Sequence, residues 1–172
     1  MEVRGGGGAG SGGAEHEHNR DIIIVGGGIC GLATALAFHR KGIEKVVVLE
    51  KSEKLRAIGA GIITQANGWR ALDQLGVAAK LRQTAVPLPN ISIIFSSSGK
   101  IMYAFDNLLG RDGEMRCLKR ADLMQALADD LPPNTVRFGC TVLGIKVDPS
   151  TSYPTVHLDD GTVLHAKVNF YP

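Results

Sequence analysis

Two uninterrupted apolar runs bound the first clear unit of the chain. Asp21 to Val25 (DIIIV) and Lys45 to Glu50 (KVVVLE) lack the alternation of a strand with one wet face. They predict parallel strands buried on both sides. Between them, Leu32 to Lys41 places Leu32, Ala35, Leu36 and His39 at helical spacing, with Arg40 and Lys41 near the end and Gly42 as a C-terminal cap. Strand, glycine turn, helix and strand in succession make a βαβ unit, whose crossover is expected to be right-handed.

Beyond that unit the periods are shorter. Asn67 to Leu75 predicts a helix stopped by Gly76, and Ala121 to Leu131 predicts one whose Leu123, Met124, Leu127 and Leu131 face inward until Pro132-Pro133 ends it. Ile91 to Phe95 and Ile101 to Phe105 read as strands joined through the polar turn Ser96 to Lys100. Thr135 to Phe138 and Thr141 to Val147 read as strands too. Thr155 to Leu158 and Thr162 to Val168 flank Asp159-Asp160-Gly161, an Asp-Gly hairpin signal. The chain shows no internal repeat.

The residues between the first strand and the first helix, Gly26-Gly27-Gly28-Ile29-Cys30-Gly31, add chemistry to this pattern. A helix N-terminus offers unpaired N–H donors and a favourable dipole to phosphate. Gly26 permits the tight turn, Gly28 leaves room for a pyrophosphate, and Gly31 allows close packing of helix on sheet. Glu50 closes the second strand, 19 residues after Gly31, where a carboxylate can accept hydrogen bonds from ribose hydroxyls and would repel a 2′-phosphate. The expected ligand is therefore the adenosine diphosphate part of FAD or NAD, and not NADP.

Composition narrows the setting without altering this reading. The apolar share is 44% and the charged share 21%, which suits one globular domain. A net charge of +2 and the lack of a basic block give no case for a nucleic-acid partner. No apolar run is long enough to span a bilayer. Cys30, Cys117 and Cys140 form neither a disulfide framework nor a zinc pattern, no metal site is expected, and a reducing cytoplasm is the predicted setting. Residues 1–20, with Gly5 to Gly8 and Gly10 to Gly13, are expected to form a disordered tail in which His16 and His18 are bystanders. Residues 21–172 are then the folded domain. His39, His157 and His165 have no partner at motif spacing and are expected on helix or strand surfaces.

Further motifs carry a family resemblance. Arg56-Ala57-Ile58-Gly59-Ala60-Gly61-Ile62, followed by Asn67, Leu72 and Leu75-Gly76-Val77, is similar to the segment after the second strand in FAD-dependent aromatic-hydroxylase-type monooxygenases. Arg116-Cys117-Leu118-Lys119-Arg120-Ala121-Asp122-Leu123 resembles the Arg-x-Asp-Leu helix start of that family, and its plant members related to zeaxanthin epoxidase and salicylate hydroxylase look closest. The resemblance spans residues 20–168. It implies an α/β fold, a Rossmann-like FAD-binding domain with a βαβ start and a small antiparallel β-meander, truncated before the substrate domain. It also implies FAD as cofactor, NAD(P)H as co-substrate, and hydroxylation or epoxidation of a small apolar or aromatic compound.

The cofactor contacts it implies are Gly26, Gly28, Ile29, Cys30, Gly31, Glu50, Lys51, Ala60, Gly61, Arg120 and Val142. Gly26, Gly28, Cys30 and Gly31 would line the pyrophosphate, and Glu50 would hold the ribose. Ala60 and Gly61 would lie near the ribityl chain or flavin, Arg120 would reach the cofactor from its helix start, and Val142 would touch adenine through its backbone. No catalytic residue and no substrate can be named. Family members run to more than twice this length and carry Asp-Gly and Gly-Asp motifs after the strand matching Ala166-Lys167-Val168. The Asp160-Gly161 pair is a hairpin turn and does not stand in for the first of these. The sequence therefore reads as a truncated form, with weakened FAD affinity and absent or poor hydroxylation. Two other readings stay open, an NAD-dependent dehydrogenase and a non-catalytic protein acting by association.

Overall fold

The computed structural model describes residues 19–55, 59, 61–88, 90–94, 101–106 and 114–170. The Gly-rich tail up to residue 18, the Ser96 to Lys100 turn, Arg56 and Ala60 lie outside the described residues. The elements run β1 (Asn19–Val25), α1 (Ile29–Arg40), β2 (Val46–Leu49), β3 (Gly61–Thr64), α2 (Ala66–Leu75), α3 (Ala78–Arg82), β4 (Val86–Pro87), β5 (Asn90–Ile94) and β6 (Ile101–Asp106). They continue with β7 (Arg116–Lys119), α4 (Arg120–Asp129), β8 (Val136–Arg137), β9 (Val142–Val147), β10 (Pro154–Leu158) and β11 (Val163–Phe170).

A six-stranded sheet in the order β8-β2-β1-β11-β10-β9 forms the frame. Its first four strands are parallel, β1 pairing with both β2 and β11, and β2 pairing with β8. β10 runs antiparallel to both β9 and β11. The β-meander is thus continuous with the central sheet. β11 makes the join: its first residues pair with β10, and its continuation from His165 to Phe170 lies beside β1.

The continuous apolar runs of β1 and β2 are buried on both faces, as their composition predicts. Ile22, Ile24, Val46 and Val48 pack with Ala35 of α1 on one side. Ile23, Val47 and Leu49 meet Val156, Leu158, Leu164 and Ala166 on the other. A further cluster joins the four helices through Leu32, Leu36, Trp69, Leu72, Leu81, Leu123, Met124 and Leu127.

Gly76 ends α2 in the left-handed region at φ 82°, where its N–H reaches the Asp73 carbonyl. α4 begins at Arg120 and stops at Asp129, so Leu131 lies past its end and is half-buried. A small sheet in the order β3-β7-β4 carries the chain into α4, and β5 pairs with β6. β3, β4, β7 and α3 were not anticipated from the sequence. Among the described residues, no helix is long and apolar enough to cross a membrane.

Candidate functional site

The glycine turn is built from both strands of the parallel pair. Gly26 adopts φ 107°, a conformation costly for a side-chain-bearing residue, while its N–H donates to the Leu49 carbonyl at 2.7 Å. Gly31 packs so closely on the turn that a Cβ there would lie 1.9 Å from the Gly26 carbonyl oxygen. Gly28 caps α1 with extended backbone and offers no side-chain cap to the helix N-terminal donors. The first turn of α1 also contains no acidic residue. That leaves an electropositive helix start facing the end of β2.

Glu50 anchors the other side. Its Oε2 accepts from the Gly27 N–H at 2.7 Å and its Oε1 from the Ser52 N–H at 2.9 Å. The carboxylate therefore bolts the glycine turn to the end of β2 as well as presenting charge there. Residues 50–52 are sewn in turn to the segment after β8: Glu50 N–H donates to the Arg137 carbonyl, and the Cys140 and Gly139 N–H groups donate to the carbonyls of Glu50 and Ser52.

Arg120 approaches from the first position of α4. Its stem crosses Gly59, where a Cβ would lie 2.9 Å from the Arg120 Cδ, so glycine is what lets the side chain pass. Its Nε is buried and has no hydrogen-bond partner among the described residues. A buried guanidinium nitrogen left unpaired is costly, and a phosphate oxygen is a fitting partner for its planar fork. Gly27, Gly28, Glu50, Lys51, Ser52, Arg120 and Met124 together line a cleft of about 160 Å³. Pockets that engulf a whole ligand hold roughly 300–1,000 Å³. The cleft is therefore sized for part of a dinucleotide. Phosphate donors on one wall and a carboxylate on the other fit the pyrophosphate and ribose of such a molecule.

Of the residues singled out from sequence, the cleft brings together Gly28, Glu50, Lys51 and Arg120. Gly26, Ile29, Cys30 and Gly31 follow along the turn and the first turn of α1, with Cys30 exposed. Gly61 opens β3 opposite Lys119, next to Arg120 in the chain. Ala60 lies outside the described residues. Val142 sits on β9, half-buried against the β10–β11 core, and does not line the cleft.

Sequence reasoning missed Ser52 and the wall formed by Met124. Met124 falls one helical turn after Arg120, a spacing that puts both on one face of α4. His39 and His157 are corrected from surface residues to half-buried ones. His39 follows Ala35 and Leu36 by one turn on the packed side of α1, and His157 Nε2 lies 3.2 Å from Thr155 Oγ1. His165 is exposed, as its position predicts.

A parallel sheet with a glycine turn, a strand-terminal acid and an arginine at the start of the facing helix defines a dinucleotide-binding α/β protein. Residues 19–167 match the family described as FAD binding domain, and the chain belongs to that family. Monooxygenase 1 of Arabidopsis thaliana is 50% identical over 147 residues, a match covering 86% of this chain and 36% of that protein. The crystal structure of p-nitrophenol 4-monooxygenase PnpA from Pseudomonas putida superposes with a TM-score of 0.76 at 25% identity, covering 88% of this chain and 40% of the other. A Klebsiella pneumoniae HpxO variant complexed with FAD gives a TM-score of 0.73 at 25% identity, covering 88% and 38%. The chain thus spans little more than a third of the length of these relatives.

Proposed function

We propose that residues 21–172 bind FAD chiefly by its adenosine diphosphate half. The contact set is Gly26, Gly28, Ile29, Cys30, Gly31, Glu50, Lys51, Ala60, Gly61, Arg120 and Val142. The observation that carries the reading is the buried, unpartnered Arg120 Nε beside an uncapped helix start and a strand-terminal carboxylate. Family membership makes FAD the ligand.

The activity we assign to the protein that contains this sequence is NAD(P)H- and O2-dependent hydroxylation or epoxidation of a small apolar or aromatic compound. The similarity to Monooxygenase 1 and to p-nitrophenol 4-monooxygenase supports it. When bound, FAD supplies the redox chemistry, and these 172 residues supply its anchorage. Free thiols at Cys30, Cys117 and Cys140 support a reducing cytoplasm as the setting.

The test is the visible spectrum of the purified chain after incubation with FAD and gel filtration. Flavin bands that co-elute with the protein, and that fade in Arg120→Ala, are the expected result. A colourless protein peak at saturating FAD would sink the proposal. A second reading, action by association with another polypeptide, draws on the exposed apolar residues Leu143, Ile145 and Val147 of the edge strand β9. A colourless protein that sediments as a complex would favour it.

A further inference from the structure

The described residues include three buried polar side chains: Ser52, Thr135 and Thr155. Two of them are satisfied internally. Thr135 Oγ1 donates to the Pro132 carbonyl at 2.8 Å, and Thr155 Oγ1 to the Lys146 carbonyl at 3.3 Å. Ser52 is only 7% exposed, yet its Oγ has no hydrogen-bond partner among the described residues. Folded proteins pair nearly all their buried polar groups, so an unpaired hydroxyl asks for a missing partner.

The surroundings of Ser52 indicate where that partner comes from. Its main chain is already fixed, the N–H donating to Glu50 Oε1 at 2.9 Å and the carbonyl accepting from Gly139 N–H at 3.0 Å. Gly139 holds φ 67°, and a Cβ there would press within 3.2 Å of the Glu53 carboxylate, so this junction has little freedom to move. The hydroxyl is the one polar group of Ser52 left unspent. It belongs to a residue lining the same cleft as Gly27, Gly28, Glu50 and Arg120. Two buried, unpartnered polar atoms, Ser52 Oγ and Arg120 Nε, thus belong to residues lining one cavity.

Resting on the FAD-binding reading above, we infer that the Ser52 hydroxyl is a ligand group for the adenosine half of the cofactor, donating its hydrogen to an acceptor on that half. Ser52 is two residues past Glu50, on the wall where the strand-terminal acid meets ribose, which assigns it to this half and not to the flavin. Its role is affinity, and it takes no part in proton or electron transfer. In the ligand-free protein the hydroxyl is a liability, because nothing among the described residues answers it.

Ser52→Ala separates this role from a structural one, because the two predict different outcomes. For a ligand group, the melting temperature of the ligand-free variant stays level or rises. The dissociation constants for ADP and for FAD then increase together by about three- to tenfold, the loss of one neutral hydrogen bond. Isothermal titration with each nucleotide, alongside thermal melts, reads both quantities. A lowered ligand-free melting temperature with unchanged ADP affinity would overturn the inference, as would FAD affinity falling while ADP affinity holds. If the unsubstituted chain bound neither ADP nor FAD, the FAD-binding reading would fail, and the Ser52 assignment with it.

Discussion

At the scale of single residues, the glycine turn divides its positions between folding and binding. Gly31 is needed by the fold, since any side chain would run into the Gly26 carbonyl and force the backbone apart. Gly28 has nothing within 4 Å of an added Cβ and holds φ −76°, which any residue adopts. A methyl there intrudes only when a phosphate comes close. Gly31→Ala is therefore expected to destabilise the ligand-free protein by about 3 kcal/mol or more. Gly28→Ala should cost the ligand-free protein less than about 1 kcal/mol, the scale of an N-cap change. It should nevertheless weaken FAD binding by at least about tenfold. Thermal melts and flavin-fluorescence titrations of the two variants check this. Equal losses of stability would show that the space beside Gly28 is structural and not reserved for a ligand.

Between elements, Arg82 is the principal polar connector. Its guanidinium pairs with Asp73 of α2 at 2.6 and 2.7 Å, reaches Glu114 ahead of β7 at 2.8 and 2.9 Å, and lies 5.0 Å above the ring of the buried Trp69. Arg116 closes the network on Glu114. The hydrogen bonds from Arg82 hold both carboxyls below their ordinary range, partly offset by desolvation, and Arg116 adds to the effect at Glu114. A carboxyl depressed in the folded state contributes stability above its unfolded value, and that contribution is lost as pH falls through the folded value. The acid limb of the wild-type stability curve, below about pH 4, should thus carry this network. Arg82→Ala should be less stable by about 1–2 kcal/mol at neutral pH, a figure kept small by the partial exposure of the pair partners. It should also lose stability less steeply with acid. Parallel acid limbs for the two proteins would assign the stability to the Arg82 stem packing on Trp69.

The same elements explain what could be read in the sequence. β1, α1 and β2 are legible because a buried parallel strand and a one-sided helix each impose a period, and Gly26 and Gly76 mark turns that need a positive φ. The Asp159-Asp160-Gly161 turn was legible for the same reason. β3, β4 and β7 are two to four residues long and pair with residues 29 to 58 positions away, so no local pattern announces them. α3 has five residues and no cap signal. Glu50 and Arg120 stood out as charges at the ends of elements. Ser52 did not, because its burial depends on the segment after β8 folding back over residues 50–52.

For the molecule as a whole, the cleft lies where several elements converge. The β1–α1 turn and the end of β2 belong to the parallel sheet, whereas Arg120 and Met124 arrive on α4, whose core is shared with α1, α2 and α3. A ligand touching both walls ties these parts together, and binding to the folded state alone must raise stability by mass action. FAD or ADP at a hundred times its dissociation constant should add about 2.7 kcal/mol. For a chain of this length that corresponds to a rise of roughly 5–10 °C in melting temperature. The Glu50 carboxylate sharpens the expectation. It can accept hydrogen bonds from a free 2′-hydroxyl, but it faces a 2′-phosphate with like charge in a partly desolvated site. At equal concentrations ADP should therefore shift the melt and 2′-phospho-ADP should not. Glu50→Gln removes the repulsion and weakens the hydrogen bond to a free 2′-hydroxyl, so ADP should bind more weakly and the difference between the two nucleotides should narrow. A 2′-phosphorylated nucleotide that stabilised the wild-type chain as well as ADP does would place the ribose somewhere other than against Glu50.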